Sequence, residues 1–179
     1  MNDLEDLLKN AREAYDSSIK QILPPIVAAA LELSRAYRNE ISSKFYFSSP
    51  AEITVLSKSQ KMIETIASLA KAQGMYSQSS ELYYNGGCLL SALEAAEEGG
   101  LKERSEALCY EYVIFLSQHG KGSEFAKMKF GEEKKTLLGL VEIIAKKTDC
   151  SAAYHFGRNC GLKDKEVMNV IKRFESENP

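Results

Sequence analysis

The stretch from Ile63 to Ser91 constrains the fold of this chain most, because its pattern is that of two helices folded back on each other. Small, aliphatic and aromatic residues recur at helical spacing on both sides of Gly74, namely Ile63, Ile66, Ala67 and Ala70 before it and Tyr76, Ser79, Tyr83 and Gly86 after it. Glycine ends a helix in the left-handed conformation without strain. The spacing therefore predicts a helical hairpin with its turn at Gly74.

Over about residues 60–91, the order of small and aromatic residues around this turn resembles one tetratricopeptide repeat. In that family a small residue lets the paired helices approach closely and an aromatic residue fills the gap beside it. The resemblance implies a right-handed stack of hairpins whose concave face would bind a protein or peptide segment. Gly86-Gly87 departs from the family pattern, in which the second helix is regular. We expect this helix to continue up to Gly99, and a kink or break at the glycine pair is the alternative. A plain up-and-down bundle is the alternative architecture.

The remaining sequence also predicts helices with short connections. Apolar residues at helical spacing between Leu4 and Ile22 predict a first helix, which we expect Pro24-Pro25 to end because proline lacks the N–H donor. Ser49-Pro50-Ala51-Glu52 combines a serine cap, a first-turn proline and a glutamate, so it predicts another helix start. We expect eight or nine helices in a single all-α domain over residues 1–179, as antiparallel hairpins in a tetratricopeptide-like stack or an up-and-down bundle.

Composition and charge exclude several classes of protein. With 44% hydrophobic and 27% charged residues, the chain of 179 residues has the composition of a globular protein and not of a disordered one. Residues 1–120 contain 11 basic and 16 acidic side chains, whereas residues 121–179 contain 12 and 9, so the last third is mildly basic. The start MNDLEDLLKN is acidic where a secretory signal would be basic, and no apolar run is long enough to span a membrane. We therefore expect a cytoplasmic protein with no membrane partner.

The cysteines and histidines do not form a recognisable metal or catalytic motif. Cys88, Cys109, Cys150 and Cys160 form no close pair, so we expect free thiols. Cys150, His155 and Cys160 match three ligand positions of a retroviral-type zinc knuckle, but Lys147 occupies the fourth. Side chains five residues apart on a helix point about 140° apart and would not converge on a metal ion. His119, the other histidine, has no nucleophile motif nearby. We predict no metal, no cofactor and no enzymatic activity.

The C-terminal stretch FGRNCGLKDKEVMNVIKRF, within about residues 151–175, resembles a helix-turn-helix. Gly157 is small where the helices cross and Gly161 takes the turn. The resemblance implies that Lys165, Asn169, Lys172 and Arg173 would face a DNA groove. Asp164 and Glu166 oppose this reading, because they would meet phosphate at the start of the second helix. The alternative is that this subregion, 150–176, caps the fold.

Four tyrosines flank Gly99-Gly100 and could present an aromatic surface to a partner, namely Tyr83, Tyr84, Tyr110 and Tyr112. Because neighbouring helical positions are about 100° apart, Tyr84 and Tyr110 are the candidates for partner binding if Tyr83 and Tyr112 point inward. We therefore predict a non-catalytic protein-interaction module. Its partner would be a protein or peptide, with self-association left open, and nucleic acid is the less favoured partner. The alternative function is a DNA-binding transcriptional regulator that uses the C-terminal hairpin.

Overall fold

The computed structural model describes residues 2–43 and 50–177, which form nine α-helices and no β-strand. The helices are α1 Asn2–Ser43, α2 Pro50–Ala72, α3 Tyr76–Asn85, α4 Leu89–Glu98, α5 Lys102–Gln118, α6 Gly122–Phe130, α7 Lys134–Lys147, α8 Cys150–Asn159 and α9 Asp164–Glu177. Neighbouring helices pack against each other in both halves of the chain. The predicted all-α fold of packed hairpins is confirmed.

The chain divides into two compact units, residues 1–105 and residues 106–179, with the boundary inside α5. In unit 1, α1, α2 and α3 surround a core that contains Val27, Ile63 and Leu82. In unit 2, α7 packs against α8 and α9 around Val141, Phe156 and Val167. The organisation of the chain as a single domain stays a prediction.

The first helix does not end at Pro24-Pro25, so that prediction was wrong. Helix α1 continues through both prolines for 42 residues. Both proline side chains are exposed, and the buried residues Leu23 and Val27 stand on either side of them in one stripe. Carbonyl groups that lose their N–H partner on this exposed side can bond to water. The packing of the stripe therefore outweighs a local cost of about 3 kcal/mol for a proline inside a helix.

The predicted hairpin at Gly74 is confirmed. Helix α2 ends at Ala72, Gly74 has φ of 76°, and α3 begins at Tyr76 and packs against α2. Pro50 occupies the first position of α2, as the sequence indicates, whereas its expected cap Ser49 lies outside the described residues. The turn brings α3 back antiparallel to α2.

The single helix expected between Tyr76 and Gly99 is two helices, α3 and α4. Gly87 has φ of 83°, a conformation that other residues rarely adopt, and it separates Asn85 from Leu89. This glycine pair therefore creates a second hairpin directly after the first. The structure is compatible with a stack of helical hairpins.

Two adjacent serines hold α3 close to both of its neighbours. The Ser79 hydroxyl donates to the carbonyl oxygen of Ala67 on α2 at 2.8 Å, and the Ser80 hydroxyl donates to that of Ala92 on α4 at 2.9 Å. Both serines are fully buried. Small side chains at these positions let the backbones approach, and the hydrogen bonds satisfy the two buried hydroxyls.

A glycine permits the close crossing of α8 and α9 in unit 2. A Cβ atom added at Gly157 would lie 2.7 Å from Cγ2 of Val167 and 3.2 Å from Cγ2 of Val141. Gly139 on α7 is a contrasting helical glycine, because a Cβ atom there would meet no atom within 4 Å.

We expect Gly157→Ala to lower the free energy of unfolding by about 1–2 kcal/mol, because overpacking outweighs the gain in helix propensity. The matched substitution Gly139→Ala should raise it by about 0.5–1 kcal/mol. Denaturant unfolding followed by circular dichroism measures both changes. Equal effects of the two substitutions would contradict the tight crossing of α8 and α9.

Candidate functional site

Two apolar stripes run side by side along α1, and only one of them is covered. The buried stripe consists of Leu23, Val27, Ala30, Ser34 and Tyr37. Each member of the second stripe stands one position earlier, and all five are exposed: Ile22, Ile26, Ala29, Leu33 and Ala36. Their exposed fractions include 58% for Ile22 and 43% for Ile26. Helix α1 is therefore apolar over a wider surface than its own unit covers.

Helix α2 repeats this arrangement. Its inner stripe consists of Leu56, Gln60, Ile63, Ala67 and Ala70, of which the last three are fully buried. One position earlier lie Val55, Ser59, Met62, Ile66 and Leu69. In this outer stripe Val55, Met62 and Leu69 are 63%, 54% and 41% exposed, whereas Ser59 is half-buried and Ile66 is half-buried against the core of unit 1. Both outer stripes alternate steps of four and three residues, which keeps their side chains on one side of each helix.

The outer stripes of α1 and α2 lie on the same side of the helix pair. On α1, residues that directly follow inner positions contact α3, since Arg35 bonds to Glu81 at 2.7 Å and Arg38 donates to the carbonyl oxygen of Tyr84 at 2.7 Å. On α2, Ser68 likewise follows an inner position and shares a hydrogen bond of 2.6 Å with the Tyr83 hydroxyl. The residues preceding the inner positions therefore lie on the side opposite α3.

We name this surface the α1–α2 face and define it by the ten residues of the two outer stripes. Its chemistry is aliphatic, with Ser59 as the single hydroxyl-bearing side chain among them. A surface of this kind can exclude water against another apolar surface, and none of its ten residues is an acid or base that could activate the Ser59 hydroxyl. Sequence reasoning missed this face. The signal that could have found it is the pair of parallel stripes, offset by one residue, on each helix.

Tyr84, predicted to contact a partner, packs between two arginines on the opposite side of unit 1. The guanidinium carbons of Arg38 and Arg104 lie 3.9 Å and 4.8 Å from its ring centroid. Tyr84 is half-buried and helps to line a cavity of about 360 Å³, together with Glu81, Asn85 and Arg104. The Nη2 atom of Arg104 is buried without a hydrogen-bond partner. The ring thus stabilises two cations by cation–π contact.

Tyr110, the second predicted contact, is half-buried in unit 2. Its ring centroid lies 4.8 Å from that of Phe130, and the side chain packs against the core of this unit. Tyr83 and Tyr112 are also half-buried, so the expected contrast between inward and outward tyrosines does not appear. Partner binding by Tyr84 and Tyr110 stays a prediction.

In the C-terminal hairpin, the predicted DNA-contacting residues are all exposed. Lys165, Asn169 and Lys172 share the side of α9 opposite the buried Val167, as their spacing requires. Arg173 instead bonds to Glu142 of α7 at 3.1 Å. Three of the four residues are therefore brought together, and the fourth is held beside a carboxylate.

Carboxylates neutralise several other basic side chains of this unit. Glu142 also accepts a hydrogen bond of 2.7 Å from Lys146, and the two cations hold the pKa of its carboxyl below the ordinary value. Lys134 is paired with Glu166, and Arg158 with Asp164. The acidic residues at the start of α9 thus neutralise nearby cations and would oppose an approaching phosphate.

A polar cluster lies between α1, α2 and the loop before α4. The Cys88 thiol donates to Glu64 Oε1 at 3.1 Å, and the Tyr37 hydroxyl donates to Gln60 Oε1 at 3.3 Å. Burial, reinforced by the Glu64 carboxylate, raises the pKa of the Cys88 thiol to about 11. A thiol that keeps its proton is a poor nucleophile and a poor metal ligand. This cluster therefore has a structural role.

No family model, curated protein or solved structure matches this chain. Within residues 2–43 and 50–177, no helix is long and apolar enough to cross a membrane. Among the same residues, no group of three or more His, Cys, Asp or Glu side chains is placed to hold a metal ion. Of the knuckle-like pattern, Cys150 at the start of α8 is half-buried, Cys160 directly after its end is buried, and His155 between them is exposed.

We expect alkylation of native Cys88 by iodoacetamide to follow ionisation near pH 11, because its thiol keeps its proton two pH units above the ordinary value of 9. At pH 8 the thiolate fraction should be about 100-fold below that of the unfolded chain. Peptide mass spectrometry after timed alkylation measures this for Cys88 alone, and Glu64→Gln should raise the rate. Equal rates in the native and unfolded chains would contradict the burial of this thiol.

Proposed function

We propose that this protein is a non-catalytic protein-interaction module, a tetratricopeptide-like helical scaffold that binds its partner through the α1–α2 face. The exposed apolar side chains on this face are the observation that supports the proposal. Of the large hydrophobic side chains exposed in the described residues, most lie on α1 and α2. Exposed apolar residues that are scattered singly need no explanation, but a contiguous two-helix surface marks an interaction site.

The size of the face supports the same conclusion. From Ile22 to Ala36 and from Val55 to Leu69, each stripe extends about 21 Å along its helix. Two adjacent helices of ordinary diameter make the face roughly 20 Å wide. The flat area is thus roughly 400 Å² before side-chain relief is counted, within the range at which patches on soluble proteins are often functional.

Two consecutive hairpins support the scaffold part of the proposal. Helices α2, α3 and α4 pack in sequence through small residues, as the resemblance to a tetratricopeptide repeat implies. Tyr84 and Tyr110 remain candidate contacts for a protein or peptide outside the face. A cytoplasmic location and the absence of enzymatic activity belong to this proposal.

The substitution Leu69→Lys tests whether the face binds protein. Leu69 is 41% exposed on the face, and lysine is compatible with its position near the C-terminal end of α2. Tagged protein is added to native extract, and proteins retained at 0.5 M salt are identified. We expect at least one retained protein, a further copy of this chain included, to fall about tenfold or more with Leu69→Lys.

Leu90→Lys is the matched control, because Leu90 is 44% exposed on α4, outside the face, in the same unit. This variant should retain what the unmodified protein retains. Circular dichroism checks that both variants fold. If Leu69→Lys and Leu90→Lys retain the same proteins at the same level, the face is not the binding surface.

DNA binding by the C-terminal hairpin is the second candidate function. It is favoured by one observation, the shared exposed side of Lys165, Asn169 and Lys172 on α9. The neutralising carboxylates Glu142, Glu166 and Asp164 oppose it. Fluorescence anisotropy with duplex DNA over a salt series distinguishes the two functions. Affinity that falls steeply with salt and is lost in a Lys165→Glu, Lys172→Glu double variant would assign the function to α9.

A further inference from the structure

The outer stripe of α1 has the spacing of a coiled-coil seam. In the sequence, alternating steps of four and three residues connect Tyr15, Ile19, Ile22, Ile26, Ala29, Leu33 and Ala36. This is a heptad repeat of about three heptads, which is typical of helices that pair along their length. In the structure, the part from Ile22 to Ala36 lies in one continuous helix and is exposed.

Helix α2 carries a matching seam antiparallel to that of α1. Ser79 of α3 bonds to Ala67 of α2, and Gly86 of α3 lies against Ile63, so α3 runs antiparallel to α2. Arg35 and Arg38 of α1 contact Glu81 and Tyr84 in the same order, so α3 runs parallel to α1. The face therefore presents two antiparallel helices, each with four-three spacing.

We propose that a second copy of this chain covers the α1–α2 face, so that the two copies form a two-fold symmetric four-helix bundle from α1, α2 and their symmetry mates. This inference rests on the proposed function and names its partner. A two-fold interface requires a surface that is complementary to itself. Two antiparallel seams of the same spacing meet this requirement, because knobs on α1 of one copy can enter holes on α2 of the other, and the two-fold axis repeats the same contacts.

The polar edges of the face favour α1 of one copy beside α2 of the other. Next to the outer stripe of α1 stands the exposed Glu32, and next to that of α2 stands the exposed Lys58. Packing α1 against the α2 of the partner places the helix edge that contains Glu32 beside the helix edge that contains Lys58. Every adjacent pair of helices is antiparallel in a two-fold bundle of this kind, which opposes their dipoles favourably.

The matching lengths of the two exposed stripes support a second copy over an unrelated short peptide. From Ile22 to Ala36 and from Val55 to Leu69, each stripe extends about 21 Å along its helix. Upstream of Ile22 the spacing continues in the sequence to Ile19, but Ile19 is half-buried against the core of unit 1. The flat area of the face is roughly half of the 800 Å² per partner that a standard interface buries, before side-chain relief is counted.

Sedimentation equilibrium of the purified full chain tests the inference. We expect a mass of about twice the 19.9 kDa of one chain at micromolar concentration. Met62→Lys places a charge at the centre of the seam and should weaken dimerisation by roughly 100-fold or more. Met128→Lys is the matched control, since Met128 is 69% exposed outside the face, and it should leave the mass unchanged.

Each outcome decides between the second copy and the alternatives. A dimer that dissociates with Met62→Lys and persists with Met128→Lys supports the inference, provided that circular dichroism shows both variants to be folded. If Met62→Lys fails to fold, Ile26→Gln serves as the second face variant. A monomer at 100 µM, or a dimer insensitive to folded face variants, overturns the inference. In either case the proposed function survives only if a different protein is retained in extract by the unmodified chain and lost with Leu69→Lys.

Discussion

The packing of α3 determines most of unit 1, and two buried hydroxyl groups fix that packing. Ser79 and Ser80 are adjacent in sequence, yet they bond to backbone carbonyls on different helices, α2 and α4. A buried hydroxyl without a partner costs about 1–3 kcal/mol, so α3 cannot slide along either neighbour without losing these bonds. The two hydrogen bonds therefore fix the position of α3 along α2 and α4. The nonpolar contacts around them do not fix it as closely, because apolar packing alone is not directional.

Once α3 is fixed, the exposure of the α1–α2 face follows. Helix α3 has ten residues, about 15 Å of helix, and it covers one flank of a much longer pair. Its contacts with Arg35, Arg38 and Ser68 place it on the side formed by residues one position after the inner stripes. No described helix of unit 1 covers the other side, which is formed by residues one position before the inner stripes. The apolar surface on that side is therefore exposed because α3 packs on the other side of the pair, and covering it requires a further partner.

The sequence predicts the helices well because their signals are local. Gly74 lies directly at the turn that it was expected to form, and spacing alone identifies the helices on both sides. Pro24-Pro25 misled the prediction because its local cost was weighed without the burial of Leu23 and Val27, which depends on α2 and α3. The environment of Tyr84 was out of reach for a similar reason. Its two arginines, Arg38 and Arg104, come from distant positions in the chain.

The α1–α2 face could not be predicted from helical spacing alone. Ile26, Leu33 and Tyr37 belong to one broad apolar stripe in the sequence, yet the first two are exposed and Tyr37 is buried. Helical spacing gives the direction of a stripe but not the half of it that a neighbour covers, since that depends on where α3 packs. An unusually wide stripe was the available warning that one helical neighbour would not be enough.

The two candidate partners would bind through different physical interactions. In unit 2, Glu142 forms ion pairs with Arg173 and Lys146, so these two basic side chains are already held beside a carboxylate within the fold. Lys165 and Lys172 would contact few phosphates, and affinity that depends on counterion release grows with the number of phosphates neutralised. The α1–α2 face depends on apolar burial, which salt does not screen. The repeated spacing of its exposed apolar side chains on two helices is why a protein partner is the better supported of the two.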